Sequence, residues 1–181
     1  MSEPSWFSVV EGADLEQGDL LPNCPVPFVQ AFGELADNEE VNVTVELHDL
    51  CVLTQSCDLV NEKVETILLG RVVTWEDVVV AKGQGYSGSK MRKKVREGLQ
   101  PALCLLHRRR EEPKLPWSVV DFQHLYVLPR KLVVERALSL GRRLRLESPY
   151  REHLAQAFAR YFMRVGLPHD AITFELDPGP P

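Results

Sequence analysis

The stretch between residues 41 and 73 constrains the fold of this chain more than any other part of its sequence. Two apolar runs, VNVTVELHDLCVL and ETILLGRVV, flank the polar pentad Thr54–Asp58. Within the first run, residues 50–53 are continuously apolar, which is typical of a strand buried on both faces. Ahead of them, a two-residue alternation predicts a strand with one buried apolar face, formed by Val41, Val43, Val45 and Leu47.

The second run predicts the partner strand of a β-hairpin, Thr66–Val73. Gly70 lies inside it, and an interior glycine indicates a bulge or a close approach of another group. The pentad then forms a turn in which Ser56 and Asp58 bond the local backbone and Cys57 is buried. The alternative is a polar cleft that binds a ligand, because turns that follow rigid strands often carry function.

The chain ahead of the hairpin is weakly patterned. Residues 1–17 are polar and acidic, which predicts a lightly structured lead-in. The segment VPFVQAFGEL predicts an edge strand, because a strand that contains prolines cannot lie at the centre of a sheet. An acidic loop over residues 33–40 follows it.

A helical insertion is predicted over residues 74–114. Thr74 is the N-cap of a first helix that runs to Ala81, with Asp77 three residues after the cap. A glycine-rich connector, GQGYSGS, leads to a second and strongly basic helix over residues 90–97, which ends at Gly98.

Further strands and one long helix complete the chain. The strands are predicted at residues 102–107, 117–122, 124–128 and 142–146. The helix begins at the N-cap Ser148, has Pro149 in its first position and stops at Gly166. One apolar stripe predicts the face that packs on the core: Leu154, Phe158, Tyr161, Phe162 and Val165.

Together these elements predict an α+β fold, mainly β, in which a small barrel carries an inserted helical segment and a long C-terminal amphipathic helix. The predicted domain spans residues 18–166 and includes the insertion at 74–114. Residues 1–17 precede it, and residues 167–181 form a poorly ordered tail.

Charge is distributed unevenly along the chain, although the net charge is only -5. The first 62 residues contain thirteen acidic residues and no Lys or Arg, whereas residues 63–181 contain twenty-one basic and thirteen acidic residues. One interpretation is that the two halves attract each other within the fold. The other is a basic surface that meets an acidic protein or a nucleic acid.

The inserted segment contains two basic clusters. They are formed by Lys90, Arg92, Lys93, Lys94 and Arg96 in the basic helix, and by Arg108, Arg109 and Arg110 in a following turn. These residues are candidates for contact with a protein partner or RNA, and a solvated helix face is the alternative. Only Tyr86 adds an aromatic ring nearby in the sequence, which predicts phosphate contact without base stacking.

Other classes of protein are disfavoured by composition. The N-terminus has no basic and apolar leader, and no apolar run approaches the roughly 18 residues that span a bilayer. We therefore expect a cytoplasmic protein without membrane contact. Because the four cysteines lack close-pair spacing, we expect free thiols, no metal site and no cofactor. A Cys57 nucleophile would need the fold to bring His48 or His124 beside it.

Several motifs occur in the order seen in the MazF/PemK-type toxins, a family of small SH3-like barrels. The sequence QGDLL at residues 17–21 resembles the start of that family's first strand. VLTQSCD at 52–58 resembles its second-strand signature, and TILLGRV at 66–72 resembles the strand that follows. LYVL, with Arg130 and Lys131 after it, resembles a later strand. The resemblance covers residues 17–73 and 117–166, and it implies a MazF-like barrel. Because that family is usually dimeric, it also implies a possible homodimer.

One departure from the family decides between two functions. Its ribonucleases use an arginine shortly before the second strand, but here that region contains only acidic charges, which would repel RNA. We therefore expect a non-enzymatic binding or regulatory protein of a bacterial toxin–antitoxin or phage-defence system. The alternative is a divergent, metal-independent endoribonuclease in which Arg71 supplies the positive charge and the pentad residues Thr54, Gln55 and Asp58 form the site.

Overall fold

The computed structural model describes residues 5–29, 43–61 and 63–163. Over these ranges the fold is α+β and mainly β, as predicted. Its strands are β1 Phe7–Glu11, β2 Leu20–Val29, β3 Val43–Val52, β4 Thr66–Thr74, β5 Leu103–Leu106, β6 Ser118–Pro129 and β7 Arg142–Leu146. Its helices are α1 Ser56–Val60, α2 Trp75–Lys82, α3 Ser89–Arg96, α4 Arg130–Leu140 and α5 Tyr150–Phe162. The predicted acidic loop at 33–40, the stop at Gly166 and the tail lie outside the described residues.

The larger sheet has five antiparallel strands in the order β2-β3-β4-β6-β5. The predicted hairpin is confirmed as β3 and β4, in which Leu50–Val52 pair with Arg71–Leu69. The proline-containing β2 lies at the sheet edge, also as predicted. The prediction of two short strands over 117–128 is wrong, because β6 is one strand that continues through a bulge opposite Gly70 and Arg71.

A second sheet joins the two ends of the chain. Strand β1 pairs antiparallel with β7, so the predicted lightly structured lead-in is wrong for residues 7–11. Burial explains the pairing, since Phe7, Leu144 and Leu146 all lie in one core cluster. The amide of Leu146 donates to the carbonyl of Gly18, which links this sheet to the start of β2. The strands within the described ranges form two open sheets and do not close into a barrel.

Two helices differ from the sequence expectation. Helix α4 is not predicted from the sequence, and it buries Val133 and Ala137 against the β2 side of the core. Helix α5 was expected from its apolar stripe, but Ser148 does not cap it and the helix begins at Tyr150. Within the apolar stripe of α5, Leu154 is fully buried, whereas Phe162 at the end of the helix is 53% exposed.

The apolar face predicted to be buried in β3 is exposed instead. Val43, Val45 and Leu47 are all exposed, because the opposite face of the strand carries the inward contacts. There, His48 stacks on Tyr126 with ring centroids 5.3 Å apart, and Phe28 packs edge-on against both rings. The outer face is completed by the β2 residues paired with β3, so we call the following set the apolar ribbon face: Pro25, Pro27, Val29, Val43, Val45 and Leu47.

The glycine predicted to allow a bulge or a close approach does both. The β4–β6 register shifts between Gly70 and Arg71, and a Cβ atom on Gly70 would lie 2.7 Å from Val120 Cγ1 and 3.1 Å from Leu53 Cδ1. Both of those neighbours are buried, so they have little room to move.

We therefore expect Gly70→Ala to lower the free energy of unfolding by about 1–3 kcal/mol, as overpacking of a core does. Urea denaturation followed by circular dichroism measures this. Gly85→Ala is the matched control, because no atom lies within 4 Å of a Cβ built there. Equal losses in the two variants would show that the close approach at Gly70 is unimportant.

Candidate functional site

Helix α3 carries the predicted basic cluster. Val95 is its buried residue, and Met91 is partly buried on the inner side. The basic side chains at positions 90, 92, 93, 94 and 96 are exposed, and Gly98 ends the segment with a positive φ of 68°. The prediction of a basic helix that stops at Gly98 is confirmed.

A groove of about 530 Å³ borders this helix. In the part of the chain that the structure describes, its lining has no carboxylate and combines three cationic side chains with two indole rings. The residues that line it are Trp75, Ser89, Arg92, Lys93, Val95, Arg96, Leu105 and Trp117. The predicted basic cluster therefore has large aromatic neighbours, and the expectation that Tyr86 alone is near it is wrong.

Strand pairing brings the two tryptophans together. Thr74 at the end of β4 is paired with Ser118 at the start of β6. Trp75 follows the first strand and Trp117 precedes the second, so both lie at the same end of the sheet. The amide of Trp75 donates a 2.7 Å hydrogen bond to the carbonyl of Trp117. The sequence held this signal, because both strands were predicted, but the antiparallel pairing between them was not.

A second hollow of about 460 Å³ continues the groove toward α5. It shares Val95, Arg96 and Leu105 with the first hollow and adds Trp6 and Arg160. We call the two hollows together the basic–aromatic groove. All three tryptophans of the chain line it, and Glu97 is the one carboxylate among its lining residues.

A row of aromatic rings connects the two hollows. Trp6 stacks on Tyr150 with centroids 3.8 Å apart and an interplanar angle of 11°. His107 lies 5.4 Å from Trp6 and 4.4 Å from Trp117, measured between ring centroids. The groove therefore has a continuous aromatic edge, and stacked rings of this kind are rigid compared with single exposed side chains.

The eight predicted basic residues take different positions around this groove. Arg92, Lys93 and Arg96 line it, whereas Lys90 and Lys94 are exposed on α3 without lining it. Arg92 donates to the Ser87 carbonyl, and Lys93 lies 3.8 Å from Glu97.

The second basic cluster reaches the groove through one residue. The Cζ atom of Arg108 lies 5.9 Å from the Trp117 ring centroid, in the range of a cation–π contact. Arg109 pairs with Glu111 at 3.1 Å, and Arg110 is exposed. The structure thus brings Arg108 to the α3 cluster and holds Arg109 in a local ion pair.

The pentad is built into the fold. It does not form a turn alone, because Ser56 starts α1. Thr54 Oγ1 accepts a 2.8 Å hydrogen bond from the Leu68 amide, and Ser56 Oγ accepts one from the Gln17 amide at 3.1 Å. Gln55 is exposed, and its carbonyl accepts from the Asp58 and Leu59 amides at the start of the helix. Cys57 is exposed, so the expectation that it is buried is wrong.

Arg71 lies away from the pentad. It is paired with Leu50 in β3 and with Asp121 in β6, three positions along β4 from the Leu68 that contacts Thr54. At the strand rise of about 3.4 Å per residue, this separation is roughly 10 Å. Burial raises the pKa of Tyr126, and the nearby Arg71 offsets part of that rise. No hydrogen bond joins Arg71 to the pentad within the described ranges.

The cysteine thiols are free and mostly inert. Burial raises the pKa of Cys24, which Arg136 partly offsets, and burial raises the pKa of Cys51 well above its usual value. Burial also raises the pKa of Cys104 to about 12. Cys57 hydrogen-bonds Gln55 and Asp58, not a histidine, in the part of the chain that the structure describes. Among those residues no three His, Cys, Asp or Glu side chains are grouped to hold a metal ion.

Comparison of this chain with protein-family models, with curated proteins and with solved structures gives no match. The resemblance to MazF-type toxins therefore stays a prediction. Over the described ranges, no helix has the length and apolar character that crossing a membrane requires.

Proposed function

We propose that this chain is a non-enzymatic binding protein that holds an extended polyanion in the basic–aromatic groove. One observation carries the proposal: three cations of α3 line a hollow whose described residues include two tryptophans and no carboxylate. Cations lining a concave surface focus a positive potential on a bound anion. An acidic protein segment and a nucleic acid are the two partners of this chemistry.

The pattern of ion pairs supports a binding role for α3. Three acidic residues of the first part of the chain, Glu11, Glu16 and Asp19, pair with arginines of β7 and α5. The α3 cations are not used in this way: within the described ranges, Lys93 alone among them has a carboxylate partner, which is Glu97 at the end of the helix. Their charge is available to a partner.

A regulatory role in a bacterial toxin–antitoxin or phage-defence system is part of the same proposal. It rests on the ordered motifs shared with MazF-type toxins, and the open sheet would be a divergent form of that barrel. The alternative endoribonuclease is less well supported, because Arg71 does not lie beside Thr54, Gln55 or Asp58. The cytoplasmic location belongs to this proposal as well.

Binding should depend on which face of α3 is altered. We expect Arg92→Gln/Arg96→Gln to weaken binding of a labelled RNA or a polyglutamate chain by about tenfold and to lower the salt slope by about 1–2. Lys90→Gln/Lys94→Gln removes the same charge at the same helical spacing outside the groove, and it should have little effect. Fluorescence anisotropy at several salt concentrations measures both.

Two results would contradict the proposal. One is equal loss of affinity in the two double variants, which would indicate a diffuse charge effect and no groove. The other is specific cleavage of RNA by the purified protein that Gln55→Ala or Asp58→Ala abolishes, which would favour the endoribonuclease.

We further propose that the apolar ribbon face is the contact between two copies of this chain. Its six side chains are all apolar and all exposed. Exposed apolar patches of this kind mark interaction sites in soluble proteins.

A further inference from the structure

We infer that the occupant of the basic–aromatic groove is a single-stranded nucleic acid, whose bases stack on Trp75 and Trp117 while its phosphates meet the α3 cations. This inference rests on the proposed polyanion-binding function and names its ligand. It differs from the expectation drawn from the sequence, which was phosphate contact without stacking.

The composition of the groove favours bases over carboxylates. An acidic protein segment needs cations, but it gains little from indole rings. A nucleic acid strand presents a charged backbone on one side and flat aromatic bases on the other. Aromatic side chains bind such bases without strong sequence preference, because every base has a π-face. All three tryptophans of the chain lie along this one groove, which fits that chemistry.

The exposure of the rings is suited to stacking. Trp117 is 38% exposed, and Trp75 is half-buried against the cluster under α2 and α3. The backbone hydrogen bond between them and the Arg108 contact restrain Trp117. In contrast, Trp6 already stacks on Tyr150, so it forms the end of the groove.

The size of the groove favours a single strand over a duplex. Each hollow has the volume of a small-molecule site, which admits on the order of one or two nucleotides. A duplex hides its bases inside the helix and offers only its backbone. Arg92, Lys93 and Arg96 can neutralise about three phosphates, which predicts a salt slope of roughly 2 for single strands.

Tryptophan fluorescence of the full chain is a direct test. The probes are U12, dT12, the dT12·dA12 duplex and inorganic polyphosphate of similar charge. We expect U12, dT12 or both to bind and to quench the emission. A difference between the two strands would come from the sugar and from the 5-methyl group of thymine. We expect the duplex and polyphosphate to bind at least about fivefold more weakly and to quench little.

Variants separate stacking from folding. Trp117→Leu and Trp75→Leu should each weaken single-strand binding by about fivefold or more, whereas polyphosphate binding should be unchanged. Trp117→Phe and Trp75→Phe retain a ring and should keep most of the affinity. Retention of affinity in the phenylalanine variants, but not in the leucine variants, would show that the loss comes from stacking. Each variant is first checked for a native circular dichroism spectrum and thermal transition, which show that it is folded.

The outcomes distinguish this inference from the function on which it rests. If polyanions bind through Arg92 and Arg96 but the duplex binds as well as the single strands, or the leucine variants bind normally, the inference is overturned and the polyanion-binding function stands. If none of the probes binds, both are overturned.

Discussion

Asp19→Ala should lower the free energy of unfolding by about 3–5 kcal/mol, the cost of leaving buried charges without their partner. Asp19 is fully buried at the start of β2. Its carboxylate accepts from Arg143 Nε at 2.9 Å and from Arg145 Nη2 at 2.9 Å. Removal of this one carboxylate therefore leaves the Arg143 guanidinium, which is 0% exposed, without its carboxylate partner. Arg145, which is 13% exposed, then keeps only Glu16, at 2.6 Å.

The effect should extend beyond the ion pairs themselves. Arg143 also donates to the Gly12 and Asp14 carbonyls, so the same guanidinium holds the loop between β1 and β2. A single domain of this size has a total stability of about 5–15 kcal/mol, so the variant should be close to unfolding. Urea denaturation of both proteins gives the difference.

The pH dependence of this contribution is also expected. Burial lowers the pKa of Arg145, but the hydrogen bond and the charge of Asp19 raise it by more, so that the pKa in the folded state is above the ordinary value. A group with a raised folded-state pKa contributes stability fully below its unfolded pKa and loses it as pH rises through the folded one. The Arg145 contribution should thus be constant around neutral pH and disappear only in strong alkali.

An exposed ion pair on the same strands gives the control for Asp19→Ala. Glu11 in β1 lies 3.8 Å from Arg142 in β7, and both side chains are more than half exposed. Glu11→Ala should change stability by less than about 1 kcal/mol. If Asp19→Ala costs no more than this control, the buried cluster does not stabilise the fold.

Elements of the fold that depend on local sequence patterns could be predicted, whereas the strand pairing around this buried cluster could not. The β3–β4 hairpin, helix α2 and the basic helix depend on local patterns and caps, and they were predicted correctly. The β1–β7 pairing depends on residues from the two ends of the chain. The asymmetry of charge contained a hint of it, because Glu16 and Asp19 meet Arg145 across the fold, but the hint did not say which residues pair.

The candidate site was partly predictable for the same reason. Its cations lie within a few residues of one another in α3, so the sequence alone identified them. Its rings come from positions 6, 75, 117 and 150, which only tertiary pairing brings together. For Arg71 the sequence predicted a proximity that the structure does not show. The hairpin was predicted correctly, but its register places Arg71 three positions along β4 from Leu68, the residue that contacts the pentad.

The exposed face of β3 is a further feature that the sequence could not predict. The two-residue alternation shows that one face of the strand is apolar, but it does not show what covers that face. The face opposite the apolar ribbon face meets the core, because Phe28, His48 and Tyr126 pack together there. The apolar residues are left outside, where water contact is unfavourable. A partner surface would cover them.

We propose a second copy of this chain as that partner. Pro25 and Pro27 remove amide donors from β2, so another strand cannot extend this edge and contact must be face to face. All six residues of the face are apolar, which lets it complement itself across a two-fold axis. A standard interface buries about 800 Å² on each partner, so these six side chains form only its apolar centre and the dimer should be weak.

Val45→Glu should therefore shift the protein from dimer to monomer, because two copies would bury a carboxylate at the centre of the contact. Sedimentation velocity over a wide range of protein concentration measures this. Val80→Glu is the control, since Val80 is 84% exposed on α2, is not one of the six residues of the apolar ribbon face, and the change in charge is the same. A wild-type protein that stays monomeric at every concentration, or a Val45→Glu variant that still dimerises, would exclude this face as the dimer contact.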